Sequence, residues 1–327
     1  MRINYIIGNG FDRNLNLKTS YKEFVNVYRD IKNDNPIIEK FKSTLKGDSE
    51  LWFKLEEYLG DYTKHIKKPQ EFILIYDDLQ IELSNYLKNE QSNLVISKLL
   101  KDKIINDFIN PQKYLSPNDK RRLISFIKKH SQKKILLNIS TFNYTNSVEQ
   151  IFNSPNFPLK INTKNIFNSV TQLENINHIH GLIDNGLIFG VNDESQISNI
   201  ELSKNIEIQE HLIKPFVNDS YDILINKKLE QDIRNADLIC LHGLSMGATD
   251  KKWWKIIGEE VKNGKHLVFH KFSEIGFSNL NRNKINPLIR GEKKRLLDLF
   301  EIPTELREKT ESQIYIEIGT KTFNNSK

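Results

Sequence analysis

The sequence predicts an α/β fold in which a mostly parallel sheet carries helices on both faces. Short apolar runs typical of buried strands alternate with longer segments whose apolar residues recur at helical spacing. The first run, Ile3–Ile7, passes directly into the glycine loop Gly8-Asn9-Gly10, as the first strand does in nucleotide-binding sheets of this class. These observations predict a sheet with loops gathered at the carboxyl ends of its strands.

The remaining elements follow from the same patterns. Further strands are predicted at Lys134–Phe142, Ile176–His180, Gly186–Val191, Asp237–His242, His266–Phe272 and Gln313–Ile318. Helices are predicted from about Thr19, where Ser20 and Glu23 have the spacing of a capping box, and at Asn146–Phe152, Asp219–Asn235, Asp250–Lys262 and Asn286–Phe300. Helical periodicity across 36–132 predicts a helical insertion within a single domain covering 1–327.

Composition excludes several classes of protein. The single cysteine, Cys240, leaves no disulfide framework and no cysteine-based zinc site. No run approaches the roughly 20 apolar residues of a membrane-spanning helix, and the N-terminus lacks the pattern of a signal peptide. The formal charge is +6, but the basic residues are scattered among acids, which does not favour a nucleic-acid partner. We therefore expect a cytoplasmic protein without a membrane partner.

Four short segments each follow or end a predicted strand. They are Gly8-Asn9-Gly10-Phe11-Asp12, Phe142-Asn143-Tyr144-Thr145, His178-Ile179-His180-Gly181, and the segment from Gly243 to Asp250. Ligands of open parallel sheets bind outside the carboxyl ends of the strands. The sequence therefore predicts one pocket assembled from distant parts of the chain.

Each segment has a functional and a structural interpretation. Gly8 and Gly10 suit either a phosphate contact or a tight turn, while Asp12 is expected to bond backbone N–H groups or a sugar hydroxyl. The Asn143 amide can fix a ligand or a water, or simply belong to a turn. His180 is a candidate general base. His178 and His180 share one face of a predicted strand, but no third residue stands at a metal-ligand spacing, so no metal is expected.

The segment Gly243-Leu244-Ser245-Met246-Gly247 matches the G-x-S-x-G pattern of a serine-hydrolase nucleophile turn. The required acid and histidine do not follow Ser245 in the order that an α/β-hydrolase needs. A second ligand-binding loop is the favoured interpretation, with Thr249 and Asp250 at the start of the next helix.

Taken together and in this order, the motifs resemble the AbiH family of bacteriophage abortive-infection proteins. The matching segments also include Thr19-Ser20-Tyr21-Lys22-Glu23-Phe24, Phe189-Gly190 and Trp254. This family in turn resembles sirtuin-like, Rossmann-type domains that consume NAD. Sirtuin deacylases carry a four-cysteine zinc module, which this chain cannot build, so the resemblance does not extend to protein deacylation.

The resemblance implies a site for each motif. Asn143 and His180 would be catalytic, with His180 the base acting on a ribose hydroxyl or on water. The implied NAD-binding residues are Gly8, Asn9, Gly10, Phe11, Asp12, Tyr144, Gly181, Gly243, Ser245 and Asp250. NAD would be the substrate, without a metal.

The expected function is antiphage defence through hydrolysis of the nicotinamide–ribose bond of NAD, that is, an NAD glycohydrolase. The alternative is a non-enzymatic sensor that binds NAD or ADP-ribose and signals to a partner. A serine hydrolase or a nuclease is less favoured. A phage-derived trigger, a partner protein and a homo-oligomer stay open as partners.

Overall fold

The computed structural model describes residues 1–46, 54–131, 134–154, 156–163, 165–221, 223–273, 282–319 and 321–324. The strands are β1 (Arg2–Ile7), β2 (Lys134–Thr141), β3 (Leu159–Ile161), β4 (Val170–His178), β5 (Gly181–Leu182), β6 (Gly186–Leu187), β7 (Leu238–His242), β8 (His266–Lys271) and β9 (Ile314–Ile318). Seven of them form one sheet in the order β3-β4-β2-β1-β7-β8-β9, while β5 and β6 form a separate hairpin. All neighbours in the large sheet are parallel except β3, which runs antiparallel to β4.

Helices fill the connections. Between β1 and β2 lie α1 (Gly10–Asn14), α2 (Tyr21–Tyr28), α3 (Pro36–Thr44), α4 (Leu55–Tyr62), α5 (Pro69–Ser92), α6 (Lys98–Ile109) and α7 (Pro117–Ser131). The later helices are α8 (Ser147–Phe152), α9 (Ile200–Ser203), α10 (Ile206–Leu212), α11 (Lys214–Tyr221), α12 (Ile223–Asn235), α13 (Lys251–Lys262), α14 (Arg282–Leu299) and α15 (Arg307–Glu311). No helix in these described ranges has both the length and the apolar character needed to cross a membrane.

Alternate residues of the central strands face two separate cores. In β1, Tyr5 and Ile7 belong to a cluster with residues of α6, α7 and α8, whereas Ile6 belongs to a cluster with residues of α12, α13 and α14. This is the period-two alternation of a strand that is covered on both sides. The predicted mixed α/β fold, with a mostly parallel sheet flanked by helices, is confirmed.

The helical prediction for 36–132 agrees with α3–α7 where that stretch is described, while residues 47–53 and 132 lie outside the described residues. The capping box is also confirmed, because Ser20 and Glu23 exchange both hydrogen bonds at the start of α2. A further short helix, α1, begins at Gly10, nearer the glycine loop than the sequence predicted.

Some element boundaries were wrong. The strand predicted at Ile176–His180 is the end of the longer β4, which stops at His178, so His180 lies in the turn beyond it. The strand predicted at Gly186–Val191 is only the two-residue β6 of the small hairpin. The helix predicted at Asp219–Asn235 is two helices, α11 and α12. β3, α9 and α10 were not predicted, because segments of three, four and seven residues are too short for a clear periodic signal.

The sheet order fixes where a ligand can lie. In chain order, β2 and then β4 lie on one side of β1, whereas the later strands β7, β8 and β9 lie on its other side. The direction of winding therefore reverses between β1 and β7. Helices leave to opposite faces at such a reversal and open a crevice at the carboxyl ends of the two strands.

Candidate functional site

A cavity of about 780 Å³ lies at this reversal point. Its walls include the segments after β1, β2, β4 and β7, the ends of β7 and β8, and residues of α4 and α5. From β4 to β8 the sheet crosses four strand spacings of about 4.8 Å, or about 19 Å in all. The cavity can therefore hold an elongated ligand laid across the strand ends.

The two glycine loops pack directly on each other. The Gly8 N–H donates to the His242 carbonyl and the Gly10 N–H donates to the Gly243 carbonyl, each at 2.9 Å. A Cβ on Gly10 would lie 2.4 Å from the Gly243 Cα. The first loop therefore needs its glycines to let the second loop approach, and these two N–H groups are engaged within the protein.

Replacing Gly10 by Ala is expected to push the two loops apart, because the added Cβ meets backbone atoms that have no freedom to rotate away. We expect a lowered midpoint of thermal unfolding. Gly291→Ala is the matched control, since nothing lies within 4 Å of its added Cβ in α14 and Ala stabilises a helix interior by about 0.5–1 kcal/mol. An unaltered Gly10→Ala protein would contradict the loop contact.

The second loop offers the free backbone donors. In the described part of the chain, the N–H groups of Leu244, Ser245, Met246 and Gly247 donate to no protein acceptor. Gly243 and Met246 have left-handed backbone angles, with φ of 67° and 56°. Successive N–H groups in such a winding backbone form concave anion sites. All of these residues line the cavity, so this loop is suited to receive a phosphate group.

Asp12 holds two segments of the site together through hydrogen bonds. Its carboxylate is 1% exposed and accepts hydrogen bonds from Thr145 Oγ1 at 2.7 Å and Ser147 Oγ at 2.6 Å. Burial raises the pKa of Asp12, and the bonds from Ser147 and Thr145 oppose that rise only in part. Within the protein the partners are side-chain hydroxyls and not backbone N–H groups, the first of the two kinds of partner expected from the sequence; a sugar hydroxyl, the second, stays a prediction. These bonds tie Thr145 and Ser147 to α1.

Asn143 has a fixed backbone and an unused side chain. Its N–H donates to Thr141 Oγ1, and its carbonyl accepts from His178 Nδ1, both at 3.0 Å. The residue is 4% exposed and lines the cavity, yet neither Nδ2 nor Oδ1 has a hydrogen-bond partner. The amide is near enough to Asp12 to lower its pKa but does not reach hydrogen-bond geometry. A buried amide left unpaired is costly unless a ligand or water completes it.

The two histidines have different surroundings. Both ring nitrogens of His178 are engaged, Nδ1 with the Asn143 carbonyl and Nε2 with Glu149 Oε1 at 2.7 Å. His180 instead lines the cavity, with its ring against Phe142 at a centroid distance of 4.6 Å. His180 Nε2 lies 3.3 Å from Asp250 Oδ1. His178 therefore holds the segment in place, and His180 is the histidine available for chemistry.

Asp250 also contacts a buried lysine. Lys214 Nζ lies 2.8 Å from Asp250 Oδ1 and 3.0 Å from Glu56 Oε2, and the lysine is only 3% exposed. Burial alone would raise the pKa of Asp250, but Lys214 and His180 outweigh it and hold that pKa below its usual range. Asp250 is therefore ionised and fixes the orientation of His180.

Two tyrosines extend this network. Tyr21 Oη donates to Glu56 Oε1 at 3.0 Å and lies 2.9 Å from Tyr144 Oη, and Tyr144 Oη donates to the Ile188 carbonyl at 3.2 Å. Burial, followed by the charge of Glu56, raises the pKa of both tyrosines well above the ordinary value. Both hydroxyls stay protonated and can donate.

The structure brings most of the predicted site residues to the cavity. Those that line it are Gly8, Asn9, Gly10, Asp12, Asn143, Tyr144, His180, Gly243, Ser245 and Asp250. Phe11 is instead buried against Phe108 and Phe323, and Gly181 opens the small hairpin, where a Cβ would lie 2.1 Å from the Gly186 carbonyl oxygen. No hydrogen bond joins Ser245 to a histidine among the described residues, so the hydrolase interpretation lacks its base.

Lys214 and Glu56 were not predicted from the sequence. Lys214 stands within an apolar run between Ile213 and Pro215, which is an unusual place for a lysine and the only signal that it gives. Glu56 lies among acidic and apolar residues of α4 and gives no signal at all. Only the fold brings these distant residues to Asp250.

A second histidine at the cavity predicts a pH dependence. Burial, helped by neighbouring His270 and opposed by Glu317, lowers the pKa of His242 from 6.5 to about 3. The unfolded chain takes up this proton near pH 6.5, so the contribution to stability is complete above that pH and is lost as pH falls toward about 3. The free energy of unfolding, measured with urea, should fall as the pH is lowered from 6.5 to 4. His242→Gln should reduce the slope of this free energy against pH by about 1.4 kcal/mol per pH unit. An unchanged slope in that variant would contradict the buried neutral state.

The comparisons with known proteins identify the family. The model of bacteriophage abortive infection AbiH matches residues 4–270. The chain belongs to the AbiH family. The match begins within β1 and ends within β8, and it includes all the cavity-lining residues except Lys271 and Phe272. AbiH membership indicates a role in bacteriophage abortive infection. A search of curated proteins found no match.

Proposed function

We propose that this AbiH protein binds NAD in the cavity and hydrolyses the nicotinamide–ribose bond during abortive infection. The observation behind this proposal is that His180, held by ionised Asp250, has its ring beside Phe142 and Tyr144, the chain neighbours of Asn143, whose buried amide is unpaired. A base and a neutral polar group lining one cavity are what an enzyme needs to position and deprotonate a water.

The strand order supports a dinucleotide. Numbered in chain order, the six parallel strands lie 3-2-1-4-5-6, with β4 third and β7 fourth. Sheets wound in this order bind dinucleotides across the point where the order reverses. The resemblance to sirtuin-like NAD-consuming domains favours the same ligand.

The free donors of the second loop fit the pyrophosphate. The N–H groups of Leu244 to Gly247 lie beside β7, between the His180 end of the cavity and the end of β8. A phosphate held there leaves one half of a dinucleotide directed toward His180 and the other toward β8. The second loop, and not the N–H groups of Gly8 and Gly10, is the proposed phosphate site.

The reaction requires from the protein a base and a polar group that positions a water. The bond from the ribose C1′ to the nicotinamide nitrogen breaks, and its electron pair neutralises the pyridinium. A water oxygen bonds to C1′, and its proton passes to His180 through Nδ1, the nitrogen that does not face Asp250. The Asn143 amide would hold that water or a ribose hydroxyl. The products are nicotinamide and ADP-ribose.

The test is product analysis with purified protein, alone and after addition of extract from phage-infected cells. Equal amounts of nicotinamide and ADP-ribose should form from NAD, and extract without the protein should form neither. NAD that stays intact under both conditions, with no measurable binding, would exclude the proposal.

The second candidate is a non-enzymatic sensor of NAD or ADP-ribose. Glu56, Leu83 and Leu87 favour this candidate, since they line the cavity from α4 and α5. A ligand in the cavity would therefore contact helices that can also bind a partner protein. The variant His180→Ala separates the two candidates. A sensor would keep nucleotide binding and phage protection, whereas an enzyme would lose protection.

A further inference from the structure

The end of the cavity at β8 contains a polar cluster that the proposed hydrolysis does not use. His242, His270 and Glu317 end or nearly end β7, β8 and β9, and the two histidine rings have centroids 5.6 Å apart. Both histidines line the cavity and are more than nine-tenths buried. His242 Nδ1 and His270 Nε2 have no hydrogen-bond partner. Two buried, unpaired ring nitrogens at one place indicate a ligand contact.

The remaining contacts fix what each nitrogen offers. Asn14 Nδ2 donates to His242 Nε2 and to the Thr322 carbonyl, each at 3.3 Å. The proton of this neutral ring therefore lies on Nδ1, the unpaired nitrogen, which is a donor. His270 Nδ1 donates to Glu317 Oε2, so a His270 ring that carries one proton has it on Nδ1 and offers Nε2 as an acceptor.

The charge of Glu317 disfavours an anion beside the two histidine rings. Glu317 is ionised, because hydrogen bonds from His270 and Thr322 outweigh the effect of burial on its pKa. A phosphate or carboxylate would be repelled by that charge, whereas an uncharged group with a donor beside an acceptor would satisfy both rings. Phe272 lines the same end and is 66% exposed, which leaves an aromatic face available for stacking.

We propose that His242 and His270 recognise the edge of an adenine-type base, in which an amino group stands beside an unprotonated ring nitrogen. The His242 N–H donates to the ring nitrogen and His270 Nε2 accepts from the amino group. This inference rests on the proposed function, since it places the adenine half of the dinucleotide at β8 and the nicotinamide half at His180.

The test compares ADP-ribose with its hypoxanthine counterpart by titration calorimetry. Hypoxanthine reverses both groups, with a protonated ring nitrogen and an oxygen in place of the amine. We expect about tenfold tighter binding of ADP-ribose, because the reversed edge leaves two buried groups unpaired. His270→Gln should lose most of that preference, while Phe272→Ala should weaken both ligands about equally.

His266→Gln is the matched control, because His266 begins the same strand and stacks on Tyr315 away from the cavity. It should keep the tenfold preference, and thermal unfolding of each variant reports on folding. Equal binding of the two ligands by the wild-type protein, a preference that survives His270→Gln, or no binding of either ligand would each overturn the inference. A His270-dependent preference without NAD cleavage would uphold this site and reject the proposed hydrolysis instead.

Discussion

Replacing His180 by Gln is expected to lower nicotinamide release by about 100-fold to 10,000-fold, which is the usual contribution of a positioned general base. Gln keeps a polar group in the space beside Phe142 and Asp250 but cannot accept a proton at neutral pH. Binding of ADP-ribose should change little, because the proposed contacts to its phosphates and base lie elsewhere. Initial rates and calorimetric titration of the same preparations give the two quantities.

His65→Gln is the control for this variant, since His65 is exposed and does not line the cavity. Its rate should equal that of the wild-type protein. A His180→Gln enzyme that retains the wild-type rate would show that another group takes the proton. Loss of ADP-ribose binding together with the rate would assign His180 to binding rather than to catalysis.

Replacing Lys214 by Met is expected to lower the free energy of unfolding by about 3–5 kcal/mol, as for other buried ion pairs that lose one partner. The substitution leaves Asp250 and Glu56 close together without the cation that both contact. Repulsion between the carboxylates and the loss of the lysine would also raise the pKa of Asp250. Asp250 should then hold His180 less firmly in its orientation. Chemical denaturation gives the stability, and the rate of NAD cleavage gives the effect on the site.

Lys88→Met is the matched substitution at the surface. Lys88 Nζ lies 3.2 Å from Asp184, but both side chains are more than half exposed, and such pairs contribute about 1 kcal/mol or less. If Lys214→Met lowers the free energy of unfolding no more than Lys88→Met does, the buried network does not stabilise the fold as described. Adding Glu56→Gln to Lys214→Met should recover part of the loss, since one unpaired charge is removed.

The sequence predicted most of what lies at the strand ends. The runs ending at Ile7, Phe142 and His242 were recognisable because buried parallel strands are nearly continuous in apolar residues. The segments that follow them supply Gly8, Asn143 and Gly243, and the fold brings all three to one cavity. A single rule, that ligands bind beyond the carboxyl ends of parallel strands, was enough for this part of the site.

The same rule would also have found the second cluster. His242, His270 and Glu317 each stand within two residues of the end of a predicted strand, and their polar character at those positions was the available signal. Lys214 and Glu56 are different. Their meeting depends on how α4 and α11 pack around the segment that contains Asp250, and no local pattern in either helix carries that information.

The glycines show a further limit of motif interpretation. The spacing of Gly8 and Gly10 is compatible with a phosphate contact, and the sequence alone cannot distinguish this from packing against a distant loop. In the structure, both N–H groups donate to backbone carbonyls, those of His242 and Gly243, which lie more than 230 residues away in the chain. The free N–H groups belong to the other loop of the pair.

The most direct measurement is the NAD content of cells that express this chain, before and after phage challenge, beside cells that express His180→Gln at the same level. If the protein hydrolyses NAD with His180 as the base, NAD falls and nicotinamide rises after infection in the wild type only, and protection is lost in the variant. Unchanged NAD in wild-type cells that are nevertheless protected in a His180-dependent way would contradict NAD hydrolysis and indicate a different substrate for the same base.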